Sequence, residues 1–250
     1  MLSRDRRLAL VVAGLCGAVL NVALFAAILR TEIAVALICF YTYPALVTLA
    51  AVPLYGERLD RVRGMALLVA CVGLFLVVLA PVLGANNVVV DPVGVALALV
   101  AAVCQAAFIL ISGRGWRPMP NLHVSTFVVA MVAVVSIPLA LLAGEANGLL
   151  DPFRNANVWV WILAGGITGA AIPTTAFITG IGLIGPSRAA ILMTIEPLVG
   201  VTLAAVFLGE QPSAVQLIGG AAVLVAAAVL QIAPRTATQP LPEPEFGPLV

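Results

Sequence analysis

The sequence predicts an all-α integral membrane protein of eight transmembrane helices, on three observations. Hydrophobic residues make up 63% of the chain and charged residues 9%. An ordinary soluble domain is about a quarter charged, so too little polar material is present to coat a globular surface. Polar and proline-containing breaks recur at spacings that leave apolar runs of bilayer length. Finally, one design occurs twice: Val47-Thr-Leu-Ala-Ala-Val52 returns residue for residue as Val201-Thr-Leu-Ala-Ala-Val206. Tyr43-Pro44 precedes the first copy and Glu196-Pro197 the second, while Gly56-Glu57 and Gly209-Glu210 follow. The landmarks are offset by 153 residues and the hexapeptide by 154. This reads as an internal duplication.

The chain begins with a short polar stretch, Met1 to Arg7, holding Arg4, Arg6 and Arg7. The apolar run from Leu8 to Leu29 is too long for a signal peptide and lacks a cleavage site, so it reads as the first span. The others fall at about 33–55, 64–83, 91–112, 122–143, 158–180, 186–208 and 213–233. Asp91-Pro92 offers an N-cap with proline at the first helical position. Ser213 and Gln216 have capping-box spacing. Gly144 to Asn157, with Asp151-Pro152, is a mostly polar loop. From Pro234 to the end, Pro240, Pro242, Pro244 and Pro248 prevent a packed element, which predicts a disordered tail over 234–250.

Composition also removes classes of function. The net charge of +1, with all twelve basic residues arginine, gives no footprint for nucleic acid. Cys16, Cys39, Cys71 and Cys104 all sit in apolar segments without CxxC or Cys/His spacing, and His123 is the only histidine. No metal, haem or other cofactor is expected. Nor do the spans hold a serine–histidine pair or paired aspartates, so no enzyme is expected. No GxxxxGK[ST] loop suggests a primary pump.

Arginine placement gives orientation. With eight spans both termini share a side, which carries Arg4, Arg6, Arg7, Arg58, Arg61, Arg63, Arg114, Arg117, Arg188 and Arg235. Only Arg30 and Arg154 lie opposite, so the termini are expected in the cytoplasm and the chain in the cell (plasma) membrane. The span with Tyr43-Pro44 then runs inward and that with Glu196-Pro197 outward. Inverted repeats of this kind are a common architecture of secondary transporters.

The residues now resemble a family. Tyr41-Thr-Tyr-Pro-Ala-Leu-Val-Thr-Leu49 with Gly56-Glu-Arg-Leu59, and Glu196-Pro-Leu with Gly209-Glu210, are similar to paired signatures of the drug/metabolite transporter superfamily, specifically its EamA-type exporters. The stretch from Asp91 to Ala106 looks like the opening helix of that family's second half. The resemblance implies ten helices as two inverted five-helix repeats. This chain has three spans before residue 84 and five over 91–233, so it resembles the fold without its first two helices. The expectation is a longer chain upstream, or a short form completed by a partner subunit or by a homodimer.

Glu196 stands near the middle of an apolar span, where an ionisable group is a functional-site hypothesis by default. It reads as a cavity carboxylate for a substrate amine or a proton, or as a bonded carboxyl supporting the kink at Pro197. Pro44 is the matching kink. Tyr41 and Tyr43 offer hydroxyls to the same cavity, or pack. Asn21 lies deep in the first span, where it binds substrate or joins helices. Gln105 is polar in an apolar span at a place where the family often has tryptophan. Thr174 and Thr175, after Pro173, read as bonding back to their own helix. Glu57 and Glu210 read as turn residues. Gly165, Gly166, Gly169 and Ala170, and Gly219, Gly220 and Ala221, read as packing positions. The expected activity is secondary transport of small polar metabolites, amino acids foremost, by alternating access. The alternative is a non-transporting membrane subunit that needs a partner.

Overall fold

Backbone amides in hydrocarbon have no water to bond, so a chain this apolar must satisfy them within helices. The computed structural model describes residues 4–56, 60–83, 90–116, 119–142, 152–153, 155–208 and 213–232. Among these every regular element is helical. Six stretches of 19 to 28 residues are long and apolar enough to cross a bilayer: Arg4–Ile28, Ile33–Tyr55, Arg61–Leu79, Pro92–Gly113, Asn121–Leu139 and Asn157–Ile184. Glu57, Arg58, Arg117, Asp151, Arg154, Gly209, Glu210, Arg235 and the tail over 234–250 lie outside the described residues.

We number the helices α1 (Arg4–Ile28), α2 (Ile33–Phe40), α3 (Tyr43–Tyr55), α4 (Arg61–Leu83), α5 (Pro92–Gly113) and α6 (Asn121–Leu142). Next come α7 (Ala156–Gly165), a π-helical segment (Gly166–Ala171) and α8 (Ile172–Ile184). Then α9 (Pro186–Leu192), a 3-10 turn (Met193–Ile195), α10 (Glu196–Leu208) and α11 (Ala214–Ile232) complete the order.

The bounds repeat along the chain. Ile33 and Pro186 begin α2 and α9, Tyr43 and Glu196 begin α3 and α10, Tyr55 and Leu208 end those helices, and Arg61 and Ala214 begin α4 and α11. The members of each pair are 153 residues apart. Both broken spans break at the same place for the same reason. Proline lacks the N–H that would bond the carbonyl four residues back, and its ring crowds that carbonyl. At Pro197 the carbonyl is that of Met193, and the Glu196 N–H takes it in the 3-10 turn instead. A threonine hydroxyl steadies each break by bonding three residues back: Thr42 to the Cys39 carbonyl at 2.7 Å and Thr194 to the Ile191 carbonyl at 2.6 Å.

The helices sort into two compact units, each drawing on both halves of the chain. One comprises Met1–Tyr43 and Asn87–Gly185, the other Pro44–Asn86 and Pro186–Val250.

In the first unit α1 packs on α5 and α6, and α8 packs on α5 and α6. The buried face of α1 is almost entirely small: Ala13, Gly14, Gly17, Ala18, Ala23 and Ala27, with Leu10. Such a face lets backbones approach where lipid offers no hydrophobic drive. A Cβ on Gly14 would lie 2.8 Å from the Met131 side chain, and one on Gly17 would lie 3.1 Å from Val128. The far end of α1 is stitched to the start of α5. Asp91 caps α5 by accepting from the Val93 N–H at 3.0 Å, its own N–H donates to the Thr31 hydroxyl at 3.4 Å, and Arg30 approaches its carboxylate at 3.5 Å. Pro92 takes the first helical position, where no N–H is needed. Gly185, with φ 84°, ends α8 in a backbone conformation that a side chain would resist.

In the second unit α4 packs along α11. Gly73 meets Gly219, Ala222 and Val223, and Gly219 meets Gly73, Leu76 and Val77. Farther along, Ala66 and Ala70 share a buried cluster with Ala226. The early part of α4 therefore faces the late part of α11, and the pair runs antiparallel. These helices begin 153 residues apart, and shifting by that number turns the contact Gly73–Gly219 into Ala226–Ala66, within that cluster. The start of α11 carries the reciprocal capping box: the Ser213 N–H donates to Gln216 Oε1 at 2.8 Å and the Gln216 N–H to Ser213 Oγ at 3.3 Å. Of the small residues singled out in the sequence, Gly219 and Gly220 are buried. Gly165, Gly166 and Gly169 instead have open space around the position of a Cβ.

Candidate functional site

A cavity of about 220 Å³ lies within the first unit. Helix α1 supplies Gly17 and Asn21, α5 supplies Gln105 and Phe108, and α8 supplies Thr174 and Phe177. Valines of α6 and the π-segment residues Gly169 and Ala170 complete the wall. Gly17 and Ala170 are 153 residues apart, and so are Asn21 and Thr174. The wall thus holds the same two positions from both copies of the duplicated segment: a small residue, and a polar one a turn later.

The local chain explains how each side chain comes to this wall. Gly17 leaves room, and Asn21, one turn on, uses its amide N–H to bond the Gly17 carbonyl at 2.8 Å. The atom beside a carbonyl must be a donor, which fixes the amide orientation and leaves Oδ1 as the uncommitted acceptor. In the second copy Leu20 is replaced, at the matching position, by Pro173. Its ring crowds the Gly169 carbonyl, and the helix widens into the π segment just before it. Gly169 and Ala170 lie within that widening, Thr174 follows it, and all three line the cavity.

Gln105 is buried to 9% exposure and makes no hydrogen bond among the described residues, and Thr174 makes none either. These two side chains, with Asn21 Oδ1 and the second Asn21 N–H, form a set of open valences around one small space. The adjacent Thr175 is fully engaged. Its hydroxyl bonds the Ala171 carbonyl at 2.7 Å and meets Ser125 of α6 at 2.6 Å. Asn121 donates to Thr179 at 3.0 Å on the same seam. These hydroxyls join α6 to α8, while Thr174 faces the cavity. Phe108 and Phe177 stack 6.3 Å apart at 24°.

Of the residues singled out in the sequence, Asn21 and Gln105 therefore come together. Tyr41 and Tyr43 do not join them in this wall. They pack with Phe40 at ring distances of 5.2 to 6.1 Å, Tyr43 only 1% exposed. Glu196 belongs to the second unit and is exposed at the first position of α10. A carboxylate there suits the positive end of the helix dipole. Thr174 and the phenylalanine pair were not singled out as site residues by sequence. The signal for Thr174 was available: counting 153 residues on from Asn21 reaches it.

The chain matches the model of the EamA-like transporter family over residues 2–79 and 92–232. It is 27% identical over 199 residues to an uncharacterized transporter of Archaeoglobus fulgidus, covering 80% of this chain and 67% of that one. It is 24% identical over 208 residues to an uncharacterized transporter of Synechocystis sp., covering 81% of this chain and 60% of that one. A solved crystal structure, 21% identical, superposes with a TM-score of 0.73 over 93% of this chain and 79% of its own, a likeness of fold alone.

Proposed function

The chain belongs to the EamA-like transporter family, and from that premise we propose that it is a secondary transporter, not an enzyme, that carries small polar metabolites across the cytoplasmic membrane by alternating access. The observation that carries this reading is the first unit's cavity, with Asn21 and Thr174 as matched positions on its wall. A site shared by two copies of one element is what inverted-repeat transporters use. The antiparallel crossing of α4 and α11 supports the inversion. On this reading the repeats are 1–84, with three helices, and 91–233, with five. They differ from the packing units, because each unit takes elements from both. The bias of arginines to one set of loops supports cytoplasmic termini.

Reconstitution in proteoliposomes tests the proposal. Labelled small metabolites, amino acids first, should exchange across the bilayer. Glu196→Gln should cut that flux at least tenfold while the protein remains folded, if the carboxyl handles substrate or proton. Flux unchanged by Glu196→Gln removes that residue from the mechanism, and no flux of any solute removes the transport reading. A second reading is a subunit that works only with a partner supplying further helices. The chain covers 67% and 60% of the lengths of the two relatives. Co-purification with another multi-span chain, or self-association into a dimer, would decide for that reading.

A further inference from the structure

The chemistry of the cavity wall narrows what occupies it. None of the twelve residues that line it is charged. Its open valences are the Asn21 Oδ1 acceptor and second N–H, the Gln105 amide, which both donates and accepts, and the Thr174 hydroxyl, which does the same. One of the two Asn21 N–H groups is committed to the Gly17 carbonyl, which leaves the second N–H and Oδ1 as a donor and an acceptor side by side. Asn21 and Gln105 thus each present a donor next to an acceptor, which an amide on the occupant, itself a donor next to an acceptor, matches. An occupant that accepts from Gln105 pairs an amide that has no protein partner among the described residues.

Size and shape add two limits. At about 30 Å³ per water, 220 Å³ holds the equivalent of roughly seven waters, below the range of about 300–1,000 Å³ for drug-sized ligands. One wall is the near-parallel pair Phe108 and Phe177, which offers apolar ring surface. A charged solute would give up its hydration here with no opposite charge among the lining residues to replace it.

We infer that this cavity binds an uncharged, flat solute of single-ring size that carries a cyclic or primary amide, the chemistry of a pyrimidine nucleobase or of nicotinamide. The amide N–H meets Asn21 Oδ1, the amide carbonyl meets Gln105 or Thr174, and the ring lies against the phenylalanines. The inference rests on the transport reading for its purpose and departs from it over amino acids, whose two charges this wall leaves unmatched.

Equilibrium binding of tritiated uracil to the full-length protein in nanodiscs tests it, with nicotinamide, alanine, phenylalanine and benzamidine as competitors. Uracil should bind and nicotinamide should displace it, while the zwitterions and the cation should not. Asn21→Ala and Gln105→Ala should each weaken uracil about tenfold, as one lost buried hydrogen bond implies. Thr175→Ala, whose hydroxyl serves the α6–α8 seam, should change it less than twofold. Gln105→Glu should lose uracil and gain benzamidine, a result that misfolding cannot produce. Absence of uracil binding, uracil binding indifferent to Asn21 and Gln105, or tighter binding of phenylalanine or benzamidine than of uracil each overturns the inference. Flux is read separately. Binding of uracil without any transport leaves this inference standing and overturns the proposed function, whereas alanine transport without uracil binding does the reverse.

Discussion

The crossing of α4 and α11 gives a sharp test of how the second unit is held. A Cβ added at Gly73 would lie 2.6 Å from the Gly219 carbonyl oxygen and 2.9 Å from the Ala222 Cβ. One added at Gly219 would lie 2.5 Å from the Gly73 carbonyl oxygen and 2.9 Å from the Val77 backbone nitrogen. These obstacles are backbone, which cannot swing aside as a side chain would, so the helices must separate. Overpacking of this kind costs about 1–3 kcal/mol. Replacing glycine by alanine within a helix returns about 1 kcal/mol through backbone entropy. With backbone atoms as the obstacle the cost falls at the upper end of that range, and Gly73→Ala or Gly219→Ala should lose up to about 2 kcal/mol net. Gly64→Ala is the internal control, because it lies on the same helix with nothing within 4 Å. It should be neutral or stabilising. Thermal unfolding in detergent, followed by thiol-reactive fluorescence as half-buried cysteines such as Cys71 open, reads the difference. At about 2–4 °C per kcal/mol for a chain of this size, the crossing variants should fall below wild type by several degrees. The double variant should lose less than the two single losses added, since helices already parted admit the second methyl more cheaply. If Gly73→Ala proves as stable as Gly64→Ala, the close crossing is not there.

Two further outcomes follow from local geometry. Asp91→Ala should lose about 1 kcal/mol, because the cap on the Val93 N–H goes. Asp91→Asn should keep most of that stability, because the pair with Arg30, itself 56% exposed, contributes little. Equal loss in both variants would place the weight on the ion pair. Pro173→Ala should lower flux in proteoliposomes without lowering the unfolding temperature. The restored N–H lets the π segment rewind and turns Thr174 away, while proline's helix penalty of up to about 3 kcal/mol is relieved. Unchanged flux with a lower unfolding temperature would contradict it.

Much of the architecture was written in local signals. Asp91-Pro92 and Ser213 with Gln216 mark helix starts by capping chemistry that does not depend on packing, and both caps form. The duplication was visible too, but its most conspicuous sign misled by one residue. Helix bounds keep step at 153, whereas the shared hexapeptide runs at 154. That single step turns a helix by about 100°. Thr48 is consequently buried at 2% and bonds the Pro44 carbonyl, while its partner in the hexapeptide, Thr202, is exposed. The short landmark pairs Tyr43-Pro44 and Glu196-Pro197 were the better guide, because a proline break fixes a position along the axis.

Which face each helix buries was not legible. In a soluble protein polar residues mark the outside, but here lipid and neighbouring helix both select apolar side chains. Small residues gave partial help. They identified Gly219 and Gly220 yet equally suggested Gly165 and Gly166, where an added Cβ would meet no other helix within 4 Å. The cavity was half legible. Asn21 and Gln105 stand out as polar within apolar runs, but Thr174 was hidden among threonines that bond their own helix, as Thr168, Thr175 and Thr179 do.

The interleaving of the two units has a consequence for how the protein is made. Gly73 leaves the ribosome 146 residues before Gly219, the surface it fits. At about 5–20 residues per second that interval is roughly seven to thirty seconds. Throughout it, the bare glycine groove of α4 waits in the bilayer with its mate still unsynthesised. Slow translation lengthens the wait, and any insertion factor that shields apolar hairpins has its natural client in this orphaned helix.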